Sequence, residues 1–168
     1  MKTIYIVIIT LFTISTATAQ QDSLDKLFNK YADKDGFSTV LISQDMLTLF
    51  MDKESKKDVD KDVKKALDGL KSIRILTVED GELNKSLNFF KEIEGQFSFE
   101  GYTTLMSIKE KDQQLKMMVK KKDGKIVEFL MLGGGEDNML IHITGNINLS
   151  NVSKISKSVG AIQGSTSK

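Results

Sequence analysis

The chemistry open to this chain is bounded by one histidine, His142, and by the absence of cysteine. His142 sits between Ile141 and Ile143 in a stretch that reads as a strand, so alternation points it away from both isoleucines. A Ser–His–acid arrangement would have to pass through this residue, but no Gly-x-Ser-x-Gly turn exists to present a serine. Zinc and other nitrogen- or sulfur-loving metals lack ligands in a chain with one His and no Cys. Asp58-Val59-Asp60-Lys61-Asp62 opens like a calcium loop, yet Val63 stands where the turn needs Gly and Gly69 where the bidentate Glu belongs. Asp33-Lys34-Asp35-Gly36 fails in the same way, with Gln44 at the last ligand position. These segments read as a charged helix face and a turn.

Gly133-Gly134-Gly135 follows a strand, as a phosphate loop does, but Glu136 and Asp137 come next and the following element is another strand. It is expected to be a flexible hairpin loop. Carboxylates are plentiful enough for glycoside chemistry, but Trp is absent and the phenols are limited to Tyr5, Tyr31 and Tyr102. The expectation is therefore a non-enzyme: no catalytic residues, no metal and no cofactor.

The elements that would position such residues centre on Tyr102–Ile147. Four strands are expected there in immediate succession, at 102–109, 114–121, 125–132 and 138–144. The short connections, including the tight turn Lys122-Asp123-Gly124-Lys125, leave no room for crossover helices and imply an antiparallel meander. Upstream, Leu24, Leu27, Phe28 and Tyr31 mark a helix over 22–33, which Asp22 or Ser23 can cap. A strand is expected at 37–43, then a short helix at 44–51. A charged helix over 52–70 closes near Gly69, and a strand follows at 72–78. Leu83, Leu87, Phe90, Ile93 and Phe97 predict one long helix over 82–97, and Leu149, Val152, Ile155 and Val159 a terminal one stopped by Gly160. The fold class is α+β: an antiparallel four-stranded meander extended to about six strands, with helices packed mainly on one face.

Lys2, the apolar run Ile4–Ile14 and the small-x-small tripeptide Ala17-Thr18-Ala19 have the three parts of a secretory signal peptide. The expected organisation is a signal peptide at 1–19, one α+β domain at 20–163 and a disordered tail at 164–168. The expected address is periplasmic or secreted. With no Cys at the cleavage point, a lipoprotein anchor is not expected. Removing 19 of 168 residues leaves 149, enough for one core. It also takes away one Lys from a chain of net charge +1, so the mature protein is neutral and gives no electrostatic reason to expect nucleic acid or an anionic membrane. Without disulfides, an exported domain must rely on core packing.

Leu27-Phe28-Asn29-Lys30-Tyr31-Ala32-Asp33-Lys34-Asp35-Gly36-Phe37-Ser38-Thr39-Val40-Leu41-Ile42-Ser43, followed by Met46, resembles the opening of the domain of unknown function 4252 family of the Bacteroidetes. Ile143-Thr144-Gly145-Asn146-Ile147-Asn148-Leu149-Ser150-Asn151-Val152 resembles its closing strand, turn and helix. The resemblance implies an exported envelope protein, with a link to envelope signalling through gene neighbours. It brings no catalytic residues. Many members are lipoproteins, and this chain departs from them in lacking the anchor cysteine.

What remains is the sheet itself, whose strands are apolar on both sides in places. Leu115, Met117 and Val119, with Met139, Ile141 and Ile143, read as the core face. The opposite face, around Met118, Leu130, Leu140 and His142, is the candidate interaction face, since a Met-rich apolar surface adapts to partners. The competing reading is that helices cover it and the four are ordinary core residues. The function expected is that of an exported, non-catalytic accessory that binds another envelope protein in signalling or stress. The alternative is a carrier or sensor of a small apolar ligand held between sheet and helices.

Overall fold

The computed structural model describes residues 17–51, 64, 65 and 67–149. Expectations for the signal peptide, for most of the charged helix with its calcium-like run, and for the terminal helix and tail fall outside those residues.

The sequence pattern becomes helix α1 (Ala17–Tyr31), strand β1 (Phe37–Ile42), helix α2 (Gln44–Met51) and strand β2 (Leu70–Val78). Helices α3 (Gly81–Ser86) and α4 (Phe89–Ile93) follow. Strands β3 (Tyr102–Lys109), β4 (Gln113–Lys122), β5 (Lys125–Gly135) and β6 (Met139–Ile147) complete the order. The six strands form one sheet in the order β1-β2-β6-β5-β4-β3, and every neighbouring pair is antiparallel. The domain is thus α+β with a core that is mostly sheet. β2 and β6 lie far apart in sequence yet pair from Leu70↔Gly145 to Thr77↔Met139, which joins β1 and β2 to the strands of the second half.

Alternation along the strands sorts the apolar residues into two clusters. On one face Leu76, Val78, Met118, Leu130, Leu132 and Leu140 pack with Leu24, Leu27, Phe28 and Tyr31 of α1 and with Phe89, Phe90 and Ile93 of α4. On the other, Ile73, Ile75, Val119, Phe129 and Ile143 pack with Leu47 of α2, and Leu67 lies against them. Helices therefore meet the sheet on both sides.

Two departures from the sequence pattern each have a tertiary cause. The long helix expected over 82–97 is broken, with Leu87 extended (φ −108°, ψ 158°) between α3 and α4. The side chain of Asn138, 2% exposed, occupies the break. Its Oδ1 accepts the Phe89 N–H at 2.9 Å, a donor that an unbroken helix would spend on Lys85. Its Nδ2 donates toward the carbonyls of Asn84 (2.8 Å), Leu87 (3.2 Å) and Gly135 (2.7 Å). Asn88 then caps α4 by accepting the Lys91 N–H at 3.1 Å.

The second departure is the glycine run. Gly133, Gly134 and Gly135 are the end of β5, paired with Leu115, Gln114 and Gln113, and not a flexible loop. Glycine is required because neighbours come too close for a side chain. A Cβ on Gly134 would lie 2.6 Å from Asn88 Oδ1. One on Gly135, whose φ is +104°, would lie 1.9 Å from the Asp112 carbonyl oxygen.

Candidate functional site

Met118, Leu130, Leu140 and His142 do share one face and neighbour one another, through the pairs Met118↔Leu130 and Leu130↔His142. That face is the one covered by α1 and α4. Each of the four is 1% exposed or less, so they are interior residues and present no surface. The periodicity placed them on one face correctly. It carried no information about which face the helices would choose, because both faces are apolar.

A polar group lies at the rim of this covered face. Glu128 is two residues before Leu130 and so shares its side of β5. It pairs with Thr144 on β6 and with Lys120 on β4, and Lys120 in turn pairs with Tyr102 on β3. The Tyr102 hydroxyl donates to Glu128 Oε2. The ammonium of Lys120 stands 3.9 Å from Oε1, and His142 Nε2 3.7 Å from Oε2. The His142 contact is too long for a hydrogen bond, and neither ring nitrogen of His142 has a hydrogen-bond partner among the described residues.

The imidazole of His142 acts first on Glu128, and with the Tyr102 hydroxyl and the Lys120 charge it holds the carboxyl down at about 2, against the opposing effect of partial burial. Burial, and then the Glu128 carboxylate, push the Tyr102 phenol well above its usual range. Glu128 is thus a fixed carboxylate and Tyr102 a fixed donor at neutral pH. Such a pair fastens β3 to β5 across β4. At neutral pH neither member changes its protonation state readily, so the pair itself is not poised for proton transfer. Sequence reading missed Glu128, although its signal was present: an acid at a Leu130-parity position inside an apolar strand.

Farther along the same face Arg74, opposite His142 in the ladder, pairs with Asp25 of α1, and Ser72 and Thr144 hydroxyls bond at 2.8 Å. These contacts and the link of Lys30 to Glu92 at 2.6 Å tie helices to sheet and to each other. Among the described residues no three acidic or histidine side chains are grouped to hold a metal ion, and no helix is long and apolar enough to cross a membrane.

The sheet ends in two outer strands, β1 and β3, and exposed apolar side chains lie at both, Leu41 on β1 among them. β3 is the last strand of the sheet, and Thr103–Lys109 are exposed throughout. Leu105, Met106 and Ile108 are 48%, 37% and 38% exposed. Tyr102–Ile108 holds no charge and, like the whole chain, no proline. Past a bulge at Leu105, Met106 pairs with Met117 and Ile108 with Leu115, on the face opposite α1 and α4. Leu115, Met117, Met131 and Ile141 continue inward as half-buried residues. The adaptable methionine surface expected on one face of the sheet thus lies on the other, and it reaches the edge.

A family model described as "Domain of unknown function (DUF4252)" matches residues 31–155. No curated protein and no solved structure matches the chain.

Proposed function

We infer, for a chain that belongs to the domain of unknown function 4252 family, that it is an exported, non-catalytic protein that binds another polypeptide through the β3 edge. The observation that carries this reading is the edge itself, an eight-residue outer strand whose exposed apolar side chains stand without an intervening charge. Natural sheets shield such strands with lysine, proline or a covering element, because a row of open N–H and C=O groups recruits another strand. Strand addition supplies affinity through those backbone groups and selectivity through the side chains beside them. In this reading the succession β3–β6 is a meander whose first strand is the working edge.

Export is supported by the three-part N-terminal pattern. Cleavage after Ala19 would fall ahead of Ser23, a buried residue of α1 whose hydroxyl donates to the Gln96 carbonyl at 2.8 Å. The carrier reading has less support, because Met118, Leu130, Leu140 and His142 are packed against helices. The open clefts by Lys85–Asn88 and Lys109–Gln114 and by Lys122–Glu128 are lined chiefly by polar and charged side chains.

The test is a photo-reactive residue placed at Leu105 in cells of the native host. An adduct to a defined polypeptide that disappears when Ile108→Lys is added supports the reading. A chain that forms no adduct of any kind from positions 105, 106 or 108 overturns it.

A further inference from the structure

We propose that the strand added to β3 is β3 of a second copy, so that two sheets join edge to edge about a twofold axis at Ser107. This rests on the reading of β3 as a binding edge and names its partner. The bulge between Thr104 and Met106 interrupts the ladder, leaving Met106–Lys109 as the regular stretch, paired with Met117, Lys116, Leu115 and Gln114. The strand ends at Lys109, where the Glu110 N–H turns back to the Gln113 carbonyl at 2.8 Å.

A twofold axis normal to the sheet preserves its faces, so opposed residues must have the same parity. Centring at Ser107 satisfies this with the regular stretch in the middle and the bulge residue Leu105 only in the end pairs. Met106 then opposes Ile108 of the second copy, and Ile108 opposes Met106. Leu105 opposes Lys109, and Ser107 meets itself.

Three properties of the edge fit this arrangement. The two Met–Ile pairs fall on the face where Leu115 and Met117 are half-buried, so they extend an existing apolar band across the joint. No like charges are opposed, because each Lys109 meets Leu105 and lies far from its own symmetry mate. The only self-opposed side chain is a serine, small and neutral. A centre at Met106 would instead place the bulge inside the pairing. An unrelated extended peptide would need no such symmetry.

The protein has no cysteine, so a single introduced thiol reports the geometry without interference. Self-opposed Cα atoms in an antiparallel pair lie about 5 Å apart, within disulfide reach. Ser107→Cys is therefore expected to give a covalent dimer on mild oxidation. Thr104→Cys, also exposed on the same strand, is not, since its two copies would lie about 20 Å apart.

Sedimentation equilibrium of the chain purified from its own host is expected to give twice the chain mass, and Met106→Lys with Ile108→Lys to weaken association at least tenfold. Those two side chains are exposed, so an unchanged circular-dichroism spectrum at low temperature marks the loss as one of association and not of folding. A monomer at every concentration overturns the proposal. So does a dimer indifferent to the lysines, or one in which Ser107→Cys stays reduced. A monomer that still yields an Ile108-dependent adduct to a different polypeptide in cells leaves the β3 edge in place as a binding surface and removes only the second copy.

Discussion

Asn138 Oδ1 accepts the backbone N–H of Phe89 at 2.9 Å, joining residues 49 positions apart in the interior of the domain. The same side chain spans the α3–α4 break and the end of β5, so its loss strands several buried backbone groups at once. Asn138→Leu is expected to cost about 2–4 kcal/mol, more than one net hydrogen bond, because the orphaned donors and acceptors keep their desolvation penalty. Urea denaturation of the two proteins measures it. A cost below about 1 kcal/mol would show that the helix break heals without Asn138.

Glu128 gives the protein an acid-sensitive limb. Its folded carboxyl is held at about 2 against an ordinary value of 4.5, so the folded state binds its proton less readily than the unfolded chain. The stabilisation is complete above about pH 4.5 and is lost as pH falls toward 2. Thermal melts of Glu128→Gln across that window are expected to show a flatter acid limb than the parent. Parallel curves would mean that Glu128 is not the group responsible.

Glycine substitutions should separate close approach from mere location. Gly135→Ala meets the Asp112 carbonyl and a left-handed backbone together, so it is expected to cost about 2 kcal/mol or more. Gly81→Ala, with nothing within 4 Å and no positive φ, is expected to be neutral or to add up to about 1 kcal/mol. The ranking of their melting temperatures checks both.

The two sides of the sheet near β3 differ in what they tolerate. Leu130→Ala empties a fully buried position between α1, α4 and the sheet and is expected to cost about 2–5 kcal/mol. Ile108→Ala, at the exposed edge, is expected to change stability by about 0.5 kcal/mol or less. Equal costs would place Ile108 in a packed environment in the monomer.

Strand positions were the most legible part of the chain. Apolar runs separated by short turns such as Asp123-Gly124 located the last four strands to within a few residues of 102–109, 113–122, 125–135 and 139–147. Helix 44–51 was recovered at both ends, and the family resemblance drawn from Leu27–Ser43 and Ile143–Val152 agrees with the match over 31–155. Three things were hidden. The break at Leu87 depends on Asn138, which is distant in sequence, while the local apolar spacing runs straight through it. The glycine run looks like a loop because its reason, the approach of Asp112 and Asn88, is also tertiary. And a sheet apolar on both faces does not encode which side a helix will cover, so the sequence leaves open whether Met118 and Leu130 face a partner or the core, and they are buried.

The pairing of β2 with β6 bears on how the chain reaches this structure. β6 is the strand that completes the sheet, and its partner β2 is made some seventy residues earlier. Until Met139–Ile147 emerges, the β1–β2 pair has no neighbour on its inner side, and α1 lacks Leu140, one of the sheet residues it packs with. Contacts that remote close slowly, since the loop entropy is lost before the contact is gained. Closure of the sheet thus waits for β6, and the inner edge of β2 stays open to chaperones or to misassembly for as long as that strand is missing.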